Sequence, residues 1–79
     1  MFNNMKLFVV IGALDGEILD NIRTFYQRGD AIFYASKEIG KHLKQGWSMD
    51  FNSDNMTFLV IDKENQLRAY YKIVAVEVK

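Results

Sequence analysis

The stretch LDGEILDNIRTFY (Leu14–Tyr26) decides the fold, because its residues satisfy two different patterns. Asp15-Gly16 stands between apolar runs, and both residue types tolerate the positive φ that a tight hairpin turn requires. On that reading Ile18 to Tyr26 returns as a strand with Ile18, Ile22, Thr24 and Tyr26 on one face. The same segment also places Ile18, Leu19, Ile22, Phe25 and Tyr26 at helical spacing. Asp15 would then be the N-cap, and Leu14 would pack on Leu19. The Asp-Gly turn and the Thr24-Phe25-Tyr26 run favour the hairpin. A second helix over residues 15–27, giving a βαβ start, stands as the alternative.

Upstream, Lys6 to Ile11 (KLFVVI) is rich in β-branched and aromatic residues and reads as a strand, with Met1 to Asn4 as a loose tail. Downstream, Gly29-Asp30 ends one element and caps the next. From there Ile32, Ala35, Ile39 and Leu43 recur on one face of a helix over about 31–45, with Gly46 suited to its C-terminal cap. Trp47 to Phe51 reads as a short strand and Asn52-Ser53-Asp54-Asn55 as a turn. Met56 to Asp62 and Leu67 to Val78 read as strands joined by the polar turn Lys63–Gln66. The fold class expected is therefore α+β: one domain over 1–79, a small antiparallel sheet of about four to five strands in ββαββ order, and one helix packed on one face.

A single helix covers only one sheet face, so the other face should alternate to polar residues. It does not. Leu7, Val9 and Ile11 oppose Phe8 and Val10; Phe58 and Val60 oppose Leu59 and Ile61; Ile73 and Ala75 oppose Val74, Val76 and Val78. Burying a Val, Leu or Phe side chain is worth roughly 1.5–3 kcal/mol, so a second apolar face left in water forgoes stability and invites association. Self-association, as a homodimer or a larger assembly, is expected through that face or through the edge of the terminal strand.

The 79 residues are 49% hydrophobic and 14% aromatic, with ten basic and ten acidic side chains. That balance argues against a protein built to coat nucleic acid and against an acidic mimic of it. Chains of this length bury only about 60–65% of their unfolded surface and usually need reinforcement. With no Cys and one His, neither a disulfide framework nor a thiolate metal site is open, and no cofactor is expected. No apolar run approaches the roughly 20 residues of a membrane span. A cytoplasmic location is the expectation.

The search for catalytic chemistry returns little. Ser36 and Ser53 are the candidate nucleophiles and His42 the candidate base, but the spacing puts Ser36 and His42 on different sides of one helix, and no carboxylate is placed to orient the imidazole. Asp50, Asp54, Asp62 and Glu64 fall in turns, where carboxylates commonly serve turn geometry. Asp50, Asn52, Asp54 and Asn55 lack the glycine and the closing glutamate of a calcium loop. Gly12 to Gly16 lacks the lysine of a phosphate-binding loop.

The suggestive segment is AIFYASKEIGKHLKQGW (Ala31–Trp47). Lys37, Lys41 and Lys44 lie at i, i+4 and i+7 and share one helix side, while Phe33 is expected on the flank and Tyr34 nearly opposite the core. Exposed aromatics beside charges are typical of protein interface anchors. The expectation is a small non-enzymatic binding protein that occupies a protein partner, as an inhibitor or modulator of a host protein. Compact chains of this kind are commonly carried by phages and mobile elements. Its contact residues would be Phe33, Tyr34, Lys37, Lys41, Lys44, Trp47, Tyr70 and Tyr71. The alternative is a nucleic-acid-binding protein using the Lys37/Lys41/Lys44 face, with aromatics stacking on bases.

Overall fold

Asp15 and Gly16 both adopt positive φ, 49° and 85°, so the turn that the sequence marks is formed. It joins β1 (Met5–Leu14) to β2 (Glu17–Ile18), with Ala13 opposite Ile18 and Leu14 opposite Glu17. The computed structural model describes residues 5–19 and 22–78; the expected loose tail Met1–Asn4 lies outside them. The chain rejoins β1 as β3 (Arg23–Phe25), where Phe8 faces Phe25 and Val10 faces Arg23. Relative to β2 the register has slipped by two residues, so each residue keeps its sheet face while the ladder is interrupted. The returning strand expected over Ile18 to Tyr26 is thus two short strands on one neighbour. The helix over 15–27 is not formed by the described residues. Ile22 and Tyr26 fall outside both strands and are exposed.

The one helix among the described residues, α1 (Arg28–His42), begins three residues earlier than the sequence pattern suggests. Gln27 is the N-cap; Gly29 and Asp30 lie in the first turn, where Asp30 complements the helix dipole. The helix ends at Leu43, whose backbone N–H bonds the Ile39 carbonyl, so Gly46 and Lys44 lie beyond it. Then follow β4 (Ser48–Asn52), β5 (Thr57–Ile61) and β6 (Leu67–Val78). The antiparallel order is β2-β1-β6-β5-β4, with β3 also on β1. Splitting the return strand brings the strand number to six, against the four to five expected.

Register sorts the side chains by face. Val10 pairs with Ile73, Gly12 with Tyr71, Leu14 with Ala69, Phe58 with Tyr71 and Val60 with Ala69, and this face carries α1. The core is Val10, Phe58, Val60, Ala69, Tyr71 and Ile73 from the sheet, with Ala31, Ala35 and Ile39 from the helix. The buried helix stripe is therefore 31/35/39, not 32/35/39/43: Ile32 is only half-buried and Leu43 is exposed. Two alanines let the helix axis approach the sheet closely, which a stripe led by Ile and Leu would prevent.

The far face carries Met5, Leu7, Val9, Ile11 and Ala13 on β1, Leu59 on β5, and Tyr70, Val74, Val76 and Val78 on β6. No described element covers it. Beyond Lys72, β6 is laddered only to β1, and before Phe8 β1 has no other strand beside it, so Met5–Leu7 and Val76–Val78 form a two-stranded ribbon running past β5. The molecule measures 53 × 24 × 16 Å, a broad and thin slab.

Candidate functional site

Rotation of the buried stripe to 31/35/39 re-aims the rest of the helix. At 3.6 residues per turn, Tyr34 lies only about 60° from Ala31, while Phe33 lies nearly opposite it. Tyr34 is accordingly half-buried, its ring 5.3 Å from that of Phe25 on β3. Phe33 is 64% exposed. This reverses the orientations expected for the pair. Asp30, Lys37, Glu38 and Lys41 project on the same flank, and together with Arg23 and Phe25 they line a broad cleft of about 680 Å³.

Aromatic surfaces beneath cations characterise this cleft. The Arg23 guanidinium stands 5.2 Å from the Tyr34 ring centre and 5.9 Å from that of Phe25, and Lys37 Nζ stands 5.7 Å from that of Phe33. Such contacts leave the cation's hydrogen-bonding capacity largely to solvent or a ligand. Lys41 instead donates to Glu38 Oε2 at 2.7 Å, and this bond, followed by the Glu38 charge, raises the lysine above its ordinary pKa.

The remaining expected contact residues go elsewhere. Trp47 is half-buried at the far end of the slab, with Lys44 Nζ 5.4 Å and the Arg68 guanidinium 5.9 Å from its ring centre. Lys44 and Trp47 share with His42 a second hollow of about 200 Å³, which adjoins the cleft at Lys41. Lys37 and Lys44 therefore do not form one helical face, because the helix stops before Lys44. Tyr70 is half-buried on the far face of the sheet. Tyr71 is buried beneath α1 and cannot be a contact residue: adjacent strand positions face opposite ways, and this one faces the helix. Its hydroxyl is buried without a hydrogen-bond partner among the described residues.

Arg23 and Phe25 were missed by the sequence reading. Their signal was the i, i+2 alternation of the returning strand: Thr24 pairs with Val9 on the far face, which places Arg23 and Phe25 toward the helix.

At the Trp47 end a bulge sets the geometry. Val60 faces Ala69 while Ile61 faces Leu67, leaving Arg68 as the extra residue. Bulges re-aim side chains in this way. Arg68 Nε donates to Asp62 Oδ2 at 2.8 Å and Nη1 reaches Asp15 Oδ1 at 3.4 Å. Asp62 Oδ1 accepts the backbone N–H groups of Glu64 and Gln66, each at 2.9 Å. The Gln66 N–H foremost, then Arg68 and the Glu64 N–H, hold the Asp62 carboxyl below its ordinary pKa against the opposing effect of burial. At acid pH the unfolded chain then binds a proton that the folded chain does not. The contribution of Asp62 to stability is fully present above about pH 3.9. It is lost as pH falls through the lower folded-state value. Asp62→Asn, which keeps an acceptor for the turn N–H groups, should flatten the acid limb of the stability profile, measured by urea unfolding between pH 2 and 7. An unchanged acid limb would remove Asp62 from that role.

The candidate nucleophile Ser36 donates its hydroxyl to the Phe33 carbonyl on its own helix, at 2.9 Å. Among the described residues no group of three or more His, Cys, Asp or Glu side chains is placed to hold a metal, and no helix is long and apolar enough to cross a membrane. Asp54 and Asn52 make a local turn through a 2.9 Å bond from the Asp54 N–H to Asn52 Oδ1. Comparison with known protein families, with curated sequences and with solved structures found no match to this chain.

Proposed function

We propose that this chain is a non-enzymatic binding protein that acts by occupying a protein partner, and that the α1/β3 cleft is its contact surface. The observation carrying this reading is the pairing of Arg23 with the half-buried Tyr34 and Phe25 rings, and of Lys37 with the exposed Phe33 ring, along the α1/β3 cleft. Arg and aromatic residues dominate the energetics of protein interfaces. The partner chemistry that fits is an acidic segment presenting an apolar or aromatic side chain: its carboxylates would meet Arg23 and Lys37, and its apolar group would lie on Phe33 and Tyr34. Asp30 and Glu38 line the same cleft against Arg23, Lys37 and Lys41, leaving one excess positive charge, which suits a segment with one or two carboxylates rather than a phosphate backbone of many charges. The separation of Lys44 from Lys37 weakens the nucleic-acid alternative further.

Selection of a random peptide library on the intact chain, with counter-selection on Phe33→Ala, tests this directly. Phe33 is exposed, so the substitution leaves the core untouched. Selected peptides should combine carboxylates with an aromatic or aliphatic residue, and should lose about 10-fold or more in affinity on Phe33→Ala. The reading fails if no such peptides emerge. It also fails if a single-stranded oligonucleotide binds instead, with affinity falling steeply as salt rises.

A further inference from the structure

Strand β4 (Ser48–Asn52) closes one end of the sheet and shares no residue with the proposed cleft. We infer that its free edge takes an extended segment of another protein as an added antiparallel strand, and that this segment carries a basic residue between two apolar ones.

The two ends of the sheet differ. At one end β2 and β3 are two and three residues long, and the slip between them breaks the ladder. At the other end β4 pairs with β5 without interruption from Ser48 to Asn52, and the bulge lies one strand further in, between β5 and β6. Edge strands are usually blunted by Lys, Pro, a bulge or a covering element. β4 has none of these: α1 packs over β1, β3, β5 and β6 and stops short of it. About half of its backbone N–H and C=O groups therefore point outward without a ladder partner among the described residues. Extended peptides add as strands to an edge of this kind.

The side chains of β4 specify the added strand. Met49 and Phe51 lie on the helix side of the sheet, opposite Val60 and Phe58, and are 42% and 37% exposed. The Phe51 ring lies 4.4 Å from that of Phe58. Residues directly opposite each other on neighbouring strands touch, so an apolar side chain set against each would extend the core past the limit of the helix. Asp50 lies between them on the other face and is the only charged residue of β4. It makes no hydrogen bond or ion pair among the described residues. The residue that complements it in the added strand is basic. The same charge argues against a second copy of this chain. The antiparallel register that pairs all five β4 residues sets Asp50 against Asp50, and like charges directly opposite are destabilising.

Two synthetic peptides titrated into the intact, isotope-labelled chain test this by amide NMR: acetyl-Ser-Thr-Val-Lys-Val-Thr-Ser-amide, and the same sequence with Glu for Lys. The Lys peptide should shift the backbone amide resonances of Ser48–Asn52 and slow their exchange with solvent. It should bind about 5-fold more tightly than the Glu peptide. Asp50→Lys, at an exposed position, should reverse that order. N-methylation of alternate peptide residues should abolish binding in one phase and spare it in the other, because only alternate N–H groups face the neighbouring strand. Phe33→Ala should change none of this, which keeps the test separate from that of the cleft. β4 resonances unmoved by either peptide at about 1 mM overturn the inference. So does equal binding of the two peptides. So does a shift of the β4 resonances with protein concentration alone, which would assign the edge to a second copy.

Discussion

Tyr71→Ala should unfold the domain or bring it to the edge of unfolding, while Tyr71→Phe should leave it as stable as the wild type or more so. Tyr71 is the largest fully buried side chain, touching both the sheet core and the helix. Removing a buried aromatic ring costs about 3–5 kcal/mol, against total stabilities of about 5–15 kcal/mol for domains in general. A chain this short sits toward the lower end. The hydroxyl behaves oppositely to the ring. It is buried without a partner among the described residues, and an unsatisfied buried group of this kind costs about 1–3 kcal/mol, which the phenylalanine would not incur. Burial first, then the Glu38 charge and Tyr34, push the phenol above its ordinary pKa. In alkali the unfolded chain therefore ionises before the folded one. Stability linked to Tyr71 is intact below about pH 10 and is lost as pH rises through the folded value. Thermal and urea unfolding of the two variants at pH 7 and pH 10.5 checks both effects; a Tyr71→Phe protein clearly weaker than wild type would mean that the hydroxyl is satisfied.

The second large effect is expected at Gly12, directly across the ladder from Tyr71. A Cβ on Gly12 would stand 2.6 Å from Tyr71 Cε2 and 2.8 Å from Cζ. The ring cannot swing away, because α1 closes over it. Gly12→Ala should cost about 1–3 kcal/mol, as overpacking typically does, and Gly12→Val more. The loss should be largely relieved when Tyr71 is replaced by Leu, so a double-mutant cycle should return a coupling of about 1 kcal/mol or more. Additive losses would show that Gly12 is needed for some other reason.

Much of the scaffold could be read from residue patterns because the patterns are local. The Asp15-Gly16 turn declares itself through φ, and the Leu67–Val78 strand through its length and β-branching. The far apolar face follows from alternation alone. The helix start was misplaced because Gly29-Asp30 resembles a cap, whereas the chain closes its first turn from Gln27. The buried stripe was misread because hydropathy ranks Ile32 and Leu43 above Ala31, while packing against a sheet selects the smaller side chain. From that rotation of the buried face, about half a residue's turn, followed the reversed roles of Phe33 and Tyr34. Tyr70 and Tyr71 could not be separated by composition: in a strand apolar on both sides, only the register with Gly12 and Phe58 tells which tyrosine goes under the helix. The cleft itself joins Arg23 and Phe25, whose sheet face follows from alternation, to Tyr34 and Lys37, whose direction followed only from the observed rotation of the helix.

The sheet order has a consequence for how the chain is made. β6 is the last of the described strands in chain order, yet it lies at the centre of the sheet, between β1 and β5. β1, the first strand, finds its ten-residue ladder only there. Until β6 is available, β1 can form only its short contacts with β2 and β3, and the β4–β5 hairpin has nothing to dock on. Folding is therefore a late, nearly all-or-none closure dominated by contacts distant in sequence, a topology that folds slowly for its size. At about 5–20 residues per second, several seconds separate the synthesis of the apolar Leu7–Ile11 run from that of the strand that gives it its long ladder.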